Sequence, residues 1–85
     1  MISAGQLKAA RALLGIDQKE LAELSGLSLP TIQRMEGSED VIRGNVDSLM
    51  KLLDALDRAG VIVIRPGEIS DGTGGRGVRL KGDLK

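Results

Sequence analysis

Apolar residues return at helical spacing four times in the first sixty positions, and each return opens on a capping residue and closes on a glycine. Ser3 is followed by Gln6 three positions on, with Ile2 and Leu7 placed as a hydrophobic staple. Asp17 and Glu20 repeat that box, with Ile16 and Leu21 as its staple. Ser28 caps a third run beside Leu27 and Ile32. Asn45 opens a fourth, with Asp47 in a first turn where negative charge suits the helix dipole. Gly15, Gly26, Gly37 and Gly60 follow the runs, and each can take the left-handed conformation that ends a helix. These starts and stops predict helices over 4–14, 18–25, 29–36 and 46–59. Leu7, Ala10 and Leu14 form the inner stripe of the first, Leu21, Ala22 and Leu24 that of the second, and Ile32 and Met35 that of the third. Val46, Leu49, Met50, Leu53 and Leu56 form the stripe of the fourth. Leu52, Ala55 and Ala59 widen it, and a helix apolar on more than one side has a second surface to bury.

The pattern changes at Gly60. "VIVIR" is short and β-branched, "PGEISDGTGG" is rich in turn residues, and "RGVRLK" alternates Val78 and Leu80 with Arg79 and Lys81. Two short strands make a marginal hairpin when isolated. They are expected to pair with their copy in another subunit or to pack on the fourth helix. The closing "GDLK" is expected to fray. The chain therefore divides into a helical unit, 1–60, and a β tail, 61–85, read as a dimerisation element. The surfaces that need burial, and hence the expected homodimer contact, are Leu52, Ala55, Ala59, Val61, Ile62, Val63, Ile64, Val78 and Leu80.

Composition narrows what such a bundle can do. An 85-residue chain has a marginal core, which oligomerisation often supports. Twelve basic residues balance twelve acidic ones, so neither a basic nucleic-acid coat nor a membrane-seeking surface is indicated. Cys and His are both absent, which removes disulfides, most metal sites and nearly every nucleophilic triad. No enzyme and no cofactor is expected. Without Phe, Tyr or Trp there is no stacking platform for single-stranded nucleic acid. No apolar run approaches the roughly 20 residues of a membrane span, and no signal segment opens the chain. A cytoplasmic location is the expectation.

Between the second and third runs lies only "SGLS". Gly26 permits a sharp turn, Ala22 is small where two helices would cross, and Leu21, Leu27, Ile32 and Met35 can hold them at a fixed angle. Across these positions "DQKELAELSGLSLPTIQRMEG" resembles the helix-turn-helix of phage-repressor-like (Cro-type, xenobiotic-response-element) transcriptional regulators, and the resemblance extends over residues 1 to about 60. It implies a mainly α fold, a four- to five-helix DNA-binding bundle, here followed by a short C-terminal β element. It implies a third helix lying in the major groove of double-stranded DNA. The base-contacting positions would be Ser28, Leu29, Pro30, Thr31, Gln33 and Arg34.

By the same resemblance Gln18 would contact the phosphate backbone, and Arg11 and Glu36 would form a structural pair locking the third helix to the bundle. Lys19, Arg43 and Asn45 offer further donors to phosphate, the last two beside a helix N-terminus. Where the family often carries polar residues such as Gln, this chain has Leu29 and Pro30. These can touch a thymine methyl but cannot hydrogen-bond a base. Readout then falls on Arg34, suited to guanine O6 and N7, and on Gln33 and Thr31.

The expected activity is sequence-specific regulation of transcription, with repression the expected sign, by a dimer on a pseudo-palindromic operator. The alternative is a protein-interaction module, or an antitoxin-like component, built on the same bundle and docking through Leu29 and Pro30. Residues 1–60 carry seven basic and nine acidic groups, so non-specific attraction to DNA is weak and the acids must lie away from the groove.

Overall fold

The computed structural model describes residues 2–64 and 76–82. Four helices form over the predicted spans: α1 (Ala4–Leu14), α2 (Gln18–Ser25), α3 (Leu29–Glu36) and α4 (Val46–Ala59). Strands β1 (Val61–Ile64) and β2 (Gly77–Leu80) follow. Each helix opens on the cap its sequence announces. Ser3 and Asp17 close reciprocal capping boxes with Gln6 and Glu20. Ser28 accepts from the Thr31 amide, and Asn45 from the Ser48 amide at 2.7 Å. Each cap satisfies an amide that the first turn would otherwise leave unpaired.

The ends of the helices hold one departure. Gly15, Gly26 and Gly60 are left-handed, but Gly37 is right-handed, with φ of −85°. The last turn of α3 tightens instead of reversing: the Gly37 amide donates to the carbonyls of Gln33 and Arg34, and the Ser38 amide to that of Met35. Three-residue spacing of this kind consumes the terminal carbonyls without a left-handed residue.

Ile2, Leu7, Leu21, Ile32, Met35, Leu52 and Leu56 are the large side chains that are fully buried, joined by Ile42 from the α3–α4 loop. Burying each is worth about 1.5–3 kcal/mol. The loop is stitched to the N-terminus by the Ala4 amide on the Asp40 carbonyl and the Ile42 amide on the Ile2 carbonyl. Leu24, expected inside, is among the exposed apolar residues.

α4 turns a different face inward from the one its broad stripe suggested. Leu49, Leu52, Ala55 and Leu56 are buried, whereas Val46 and Met50 are exposed. The expectation that Leu52, Ala55 and Val61 meet a partner subunit is thereby corrected: all three are covered by their own chain. Ala59, Ile62, Val63, Ile64 and Val78 are half-buried, with Val63 and Val78 packed on the core, and Leu80 is exposed.

The two strands pair with each other, antiparallel, Val61 opposite Leu80 and Ile64 opposite Gly77. The ladder runs on through the Lys81 amide to the Gly60 carbonyl at 2.7 Å. The hairpin packs against α1 and α4, which answers the burial need of the β-branched run within one chain. Its far end is fixed by Gln6, whose Nε2 donates to the carbonyls of Ile64 at 2.7 Å and Gly77 at 2.9 Å. Arg76 pairs with Asp40, and Lys81 with Asp57. The expected turn in "PGEISDGTGG" lies outside the described residues, as do Arg65 and, in the tail expected to fray, all but Gly82.

Candidate nucleic-acid interface

The turn between α2 and α3 is built by backbone need. Gly26 sits at φ of +74°, a conformation that costs any residue with a Cβ about 1–2 kcal/mol. Ser25, buried beside it, donates from Oγ to the Leu21 carbonyl at 2.8 Å and accepts from the Leu27 amide at 3.3 Å. One hydroxyl thus closes α2 and holds the first residue of the connection. In the sequence Ser25 carries one signal of this role, a serine directly before the turn glycine.

From this turn α3 projects with Ile32, Met35 and Glu36 inward. Pro30, Gln33 and Arg34 share the outer face and are exposed. Pro30 occupies the first turn, where its missing amide hydrogen costs little. Leu29 is half-buried and packs against the core, so it is an edge residue and not a tip. Thr31 is half-buried too, its Oγ1 within 2.8 Å of the exposed Ser28 Oγ. Among the described residues Arg34 forms no ion pair, so its five donors face solvent.

The inner end of α3 is held by charge. Arg11 Nε donates to Glu36 Oε2 at 2.6 Å and Nη2 to Oε1 at 2.9 Å, while Nη1 reaches the Ile16 carbonyl at 3.2 Å. This two-pronged geometry is the strong form of the guanidinium–carboxylate pair. The Glu36 side chain is almost fully buried, 5% exposed, against 23% for Arg11. Burial pushes the Glu36 carboxyl up. Hydrogen bonds from Arg11 and Gln18, with the charges of Arg11 and Lys8, outweigh burial and hold it below the ordinary glutamate value. The hydrogen bond to Glu36 raises Arg11 against its own desolvation.

Gln18 joins this network, donating from Nε2 to Glu36 Oε1 at 2.9 Å. One amide hydrogen is thereby engaged and the other is left for a ligand. Lys19 is exposed beside it on the first turn of α2. Arg43 and Asn45 are exposed ahead of α4, but they differ in surroundings. The Asn45 carbonyl oxygen is spent on its cap, leaving the side-chain amide as donor. Arg43 lines a surface hollow with Ser38, Glu39, Asp40 and Val41, where two acids oppose an anion.

Gln6 is the functional residue of the scaffold least visible beforehand. Its capping role is local, and its bonds to the hairpin cross 58 and 71 residues of sequence. Among the described residues no helix is long and apolar enough to cross a membrane, and no acidic cluster could hold a metal ion. Residues 7–59, more than half of the chain, match a family model described as helix-turn-helix. No curated protein matches the chain.

Proposed function

Because the chain belongs to the Cro-type, xenobiotic-response-element family of helix-turn-helix DNA-binding regulators, we propose that it binds a pseudo-palindromic operator as two copies and represses by occupying it. The observation that carries this reading is the outer face of α3. Three adjacent exposed positions, Pro30, Gln33 and Arg34, stand on a helix whose inner end is locked by Arg11 and Glu36. A rigid helix with free donors on one face suits the major groove, which displays a distinct donor and acceptor pattern for each base pair. Arg34 addresses guanine O6 and N7, Gln33 adenine N6 and N7, and Pro30 offers apolar contact to a thymine methyl. Ser28, Leu29 and Thr31 border that surface.

Gln18, Lys19 and the Asn45 amide supply phosphate contacts that set the register and carry no sequence information. Arg43 adds to them once Glu39 and Asp40 are turned from the backbone. Two copies would place their third helices about 34 Å apart, one helical turn of DNA. Occupancy alone suffices to block a promoter, so repression needs nothing beyond this surface. The division into a reading unit, 1–60, and a supporting tail, 61–85, belongs to the same proposal. A protein-interaction module docking through Leu29 and Pro30 is the weaker reading, since Leu29 packs on the core. Mobility shifts against genomic fragments over a salt series decide between them. Retarded fragments with a steep negative salt slope support the operator-binding account, and a flat slope with no shift contradicts it.

A further inference from the structure

Arg76 stands in the tail, beyond residues 7–59 that match the family model, yet its guanidinium meets the loop between α3 and α4. Nη1 donates to Asp40 Oδ1 at 3.0 Å. The start of α1 anchors both ends of this pair. The Ala4 amide holds the Asp40 carbonyl at 2.9 Å. Gln6 Nε2 holds the carbonyl of Gly77, the residue after Arg76, at the same distance. Ser3 and Val41 add a β-bridge on the loop side. The two backbones are thus fixed where the side chains meet.

The pair acts on Arg43. Asp40 and Glu39 line one surface hollow with Arg43, which follows Asp40 by three positions. Among the described residues Arg43 forms no ion pair, whereas Asp40 is engaged by Arg76. An Asp40 carboxylate released from Arg76 has Arg43 as the cation in its own hollow. A guanidinium taken up by a carboxylate has fewer donors and little net charge to offer a phosphate. We propose that Arg76 is a positioning residue for DNA binding: it holds Asp40 off Arg43, so that Arg43 stays available to the phosphate backbone. The inference rests on the proposed DNA-binding reading, and it gives the tail a part in binding.

Charge along the chain points the same way. Residues 1–60 carry seven basic and nine acidic groups, and residues 61–85 five and three, so the tail holds the surplus of cations. Among the described tail residues only Arg76 spends its charge on the loop. Lys81 pairs with Asp57 near the far end of α4, and Arg79 reaches the neighbouring Leu80 carbonyl at 3.4 Å. The Arg76 and Asp40 side chains are 34% and 73% exposed, and an ion pair so open to water adds little to stability. Its removal therefore changes binding without unfolding the chain.

The test uses the full chain, a duplex selected by the parent from random DNA and an unrelated duplex, at one low salt concentration. Arg76→Ala keeps the parent's circular dichroism and binds both duplexes about fivefold more weakly, the factor one unit charge beside a phosphate carries in water. Arg43→Ala weakens binding at least as much, and adding Arg76→Ala to it costs nothing further, since the residue that Arg76 serves is gone. In the Asp40→Asn background Arg76→Ala also costs nothing. Arg79→Ala removes the same charge from the same strand and leaves affinity within about twofold. Losses from Arg43→Ala and Arg76→Ala that multiply overturn the inference, as does a loss that persists in the Asp40→Asn background, which would put Arg76 itself on the phosphate. Arg79→Ala as costly as Arg76→Ala overturns it in favour of net charge alone. A parent that selects a duplex which Arg76→Ala binds equally well overturns it while leaving the DNA-binding reading standing. A parent that recovers no duplex from random DNA removes both.

Discussion

Gln18 Nε2 donates to Glu36 Oε1 at 2.9 Å, so the first residue of α2 is bonded to the last residue of α3. The same carboxylate takes both prongs of Arg11. One buried carboxylate therefore fixes α1, α2 and α3 against one another, and with them the angle at which Arg34 is presented.

Removing the cation leaves that carboxylate charged, buried and held by Gln18 alone. Arg11→Met is expected to cost about 3 kcal/mol, the lower end for a broken buried pair because Arg11 is partly solvated. Urea unfolding at neutral pH measures it. A loss below about 0.5 kcal/mol, the scale of an exposed pair, would show that the pair does not hold the bundle.

The pH dependence follows from the lowered Glu36 carboxyl. Its folded value lies below the ordinary 4.5, so its contribution is fully present above that pH. It fades as pH falls through the lower native value. The parent should therefore lose stability on acidification below about pH 4.5 more steeply than Glu36→Gln, which carries no titrating group there. Equal slopes for the two proteins would remove Glu36 as a source of the acid sensitivity.

Gln6→Ala deletes two hydrogen bonds to the hairpin and one to the Ser3 amide. At about 1 kcal/mol for each bond, a loss of about 2–3 kcal/mol is expected. Amide exchange in β1 and β2 should accelerate more than in α2 and α3. Uniform acceleration across the chain would mean that Gln6 is a local cap and no more.

At the turn, Gly26→Ala meets no atom within 4 Å, so its cost is purely conformational. Roughly 1–2 kcal/mol is expected from the left-handed backbone, with the DNA-binding surface retained by the fraction that remains folded. A neutral or stabilising result in thermal unfolding would show that the turn relaxes.

The helices were legible in the sequence because their caps and stops are local: Ser3 with Gln6, Asp17 with Glu20, and Gly15 and Gly26 act on chemistry within four residues. What stayed hidden depends on distant packing. α4 is apolar around much of its girth, so periodicity alone could not decide whether Met50 or Leu52 faces inward; α2 and the hairpin decide it. Ile42 joins the core from a loop without periodicity. The β-branched run was recognised as a strand, but its partner within the chain became visible only with Gln6 and the register of Val61 on Leu80. In the candidate interface, helical spacing placed Gln33 and Arg34 outside, whereas the inward lean of Leu29 and the engagement of Gln18 by Glu36 needed the third dimension.

The central claim is that α3 reads DNA through its outer face. The most direct measurement is the affinity of the parent and of Arg34→Ala for one duplex selected by the parent from random DNA, at one fixed salt concentration, beside an unrelated duplex. The account predicts that Arg34→Ala binds the selected duplex about 1–3 kcal/mol more weakly, with the gap between selected and unrelated DNA narrowed. Binding of the selected duplex by Arg34→Ala as tight as the parent's, with that gap preserved, would contradict it.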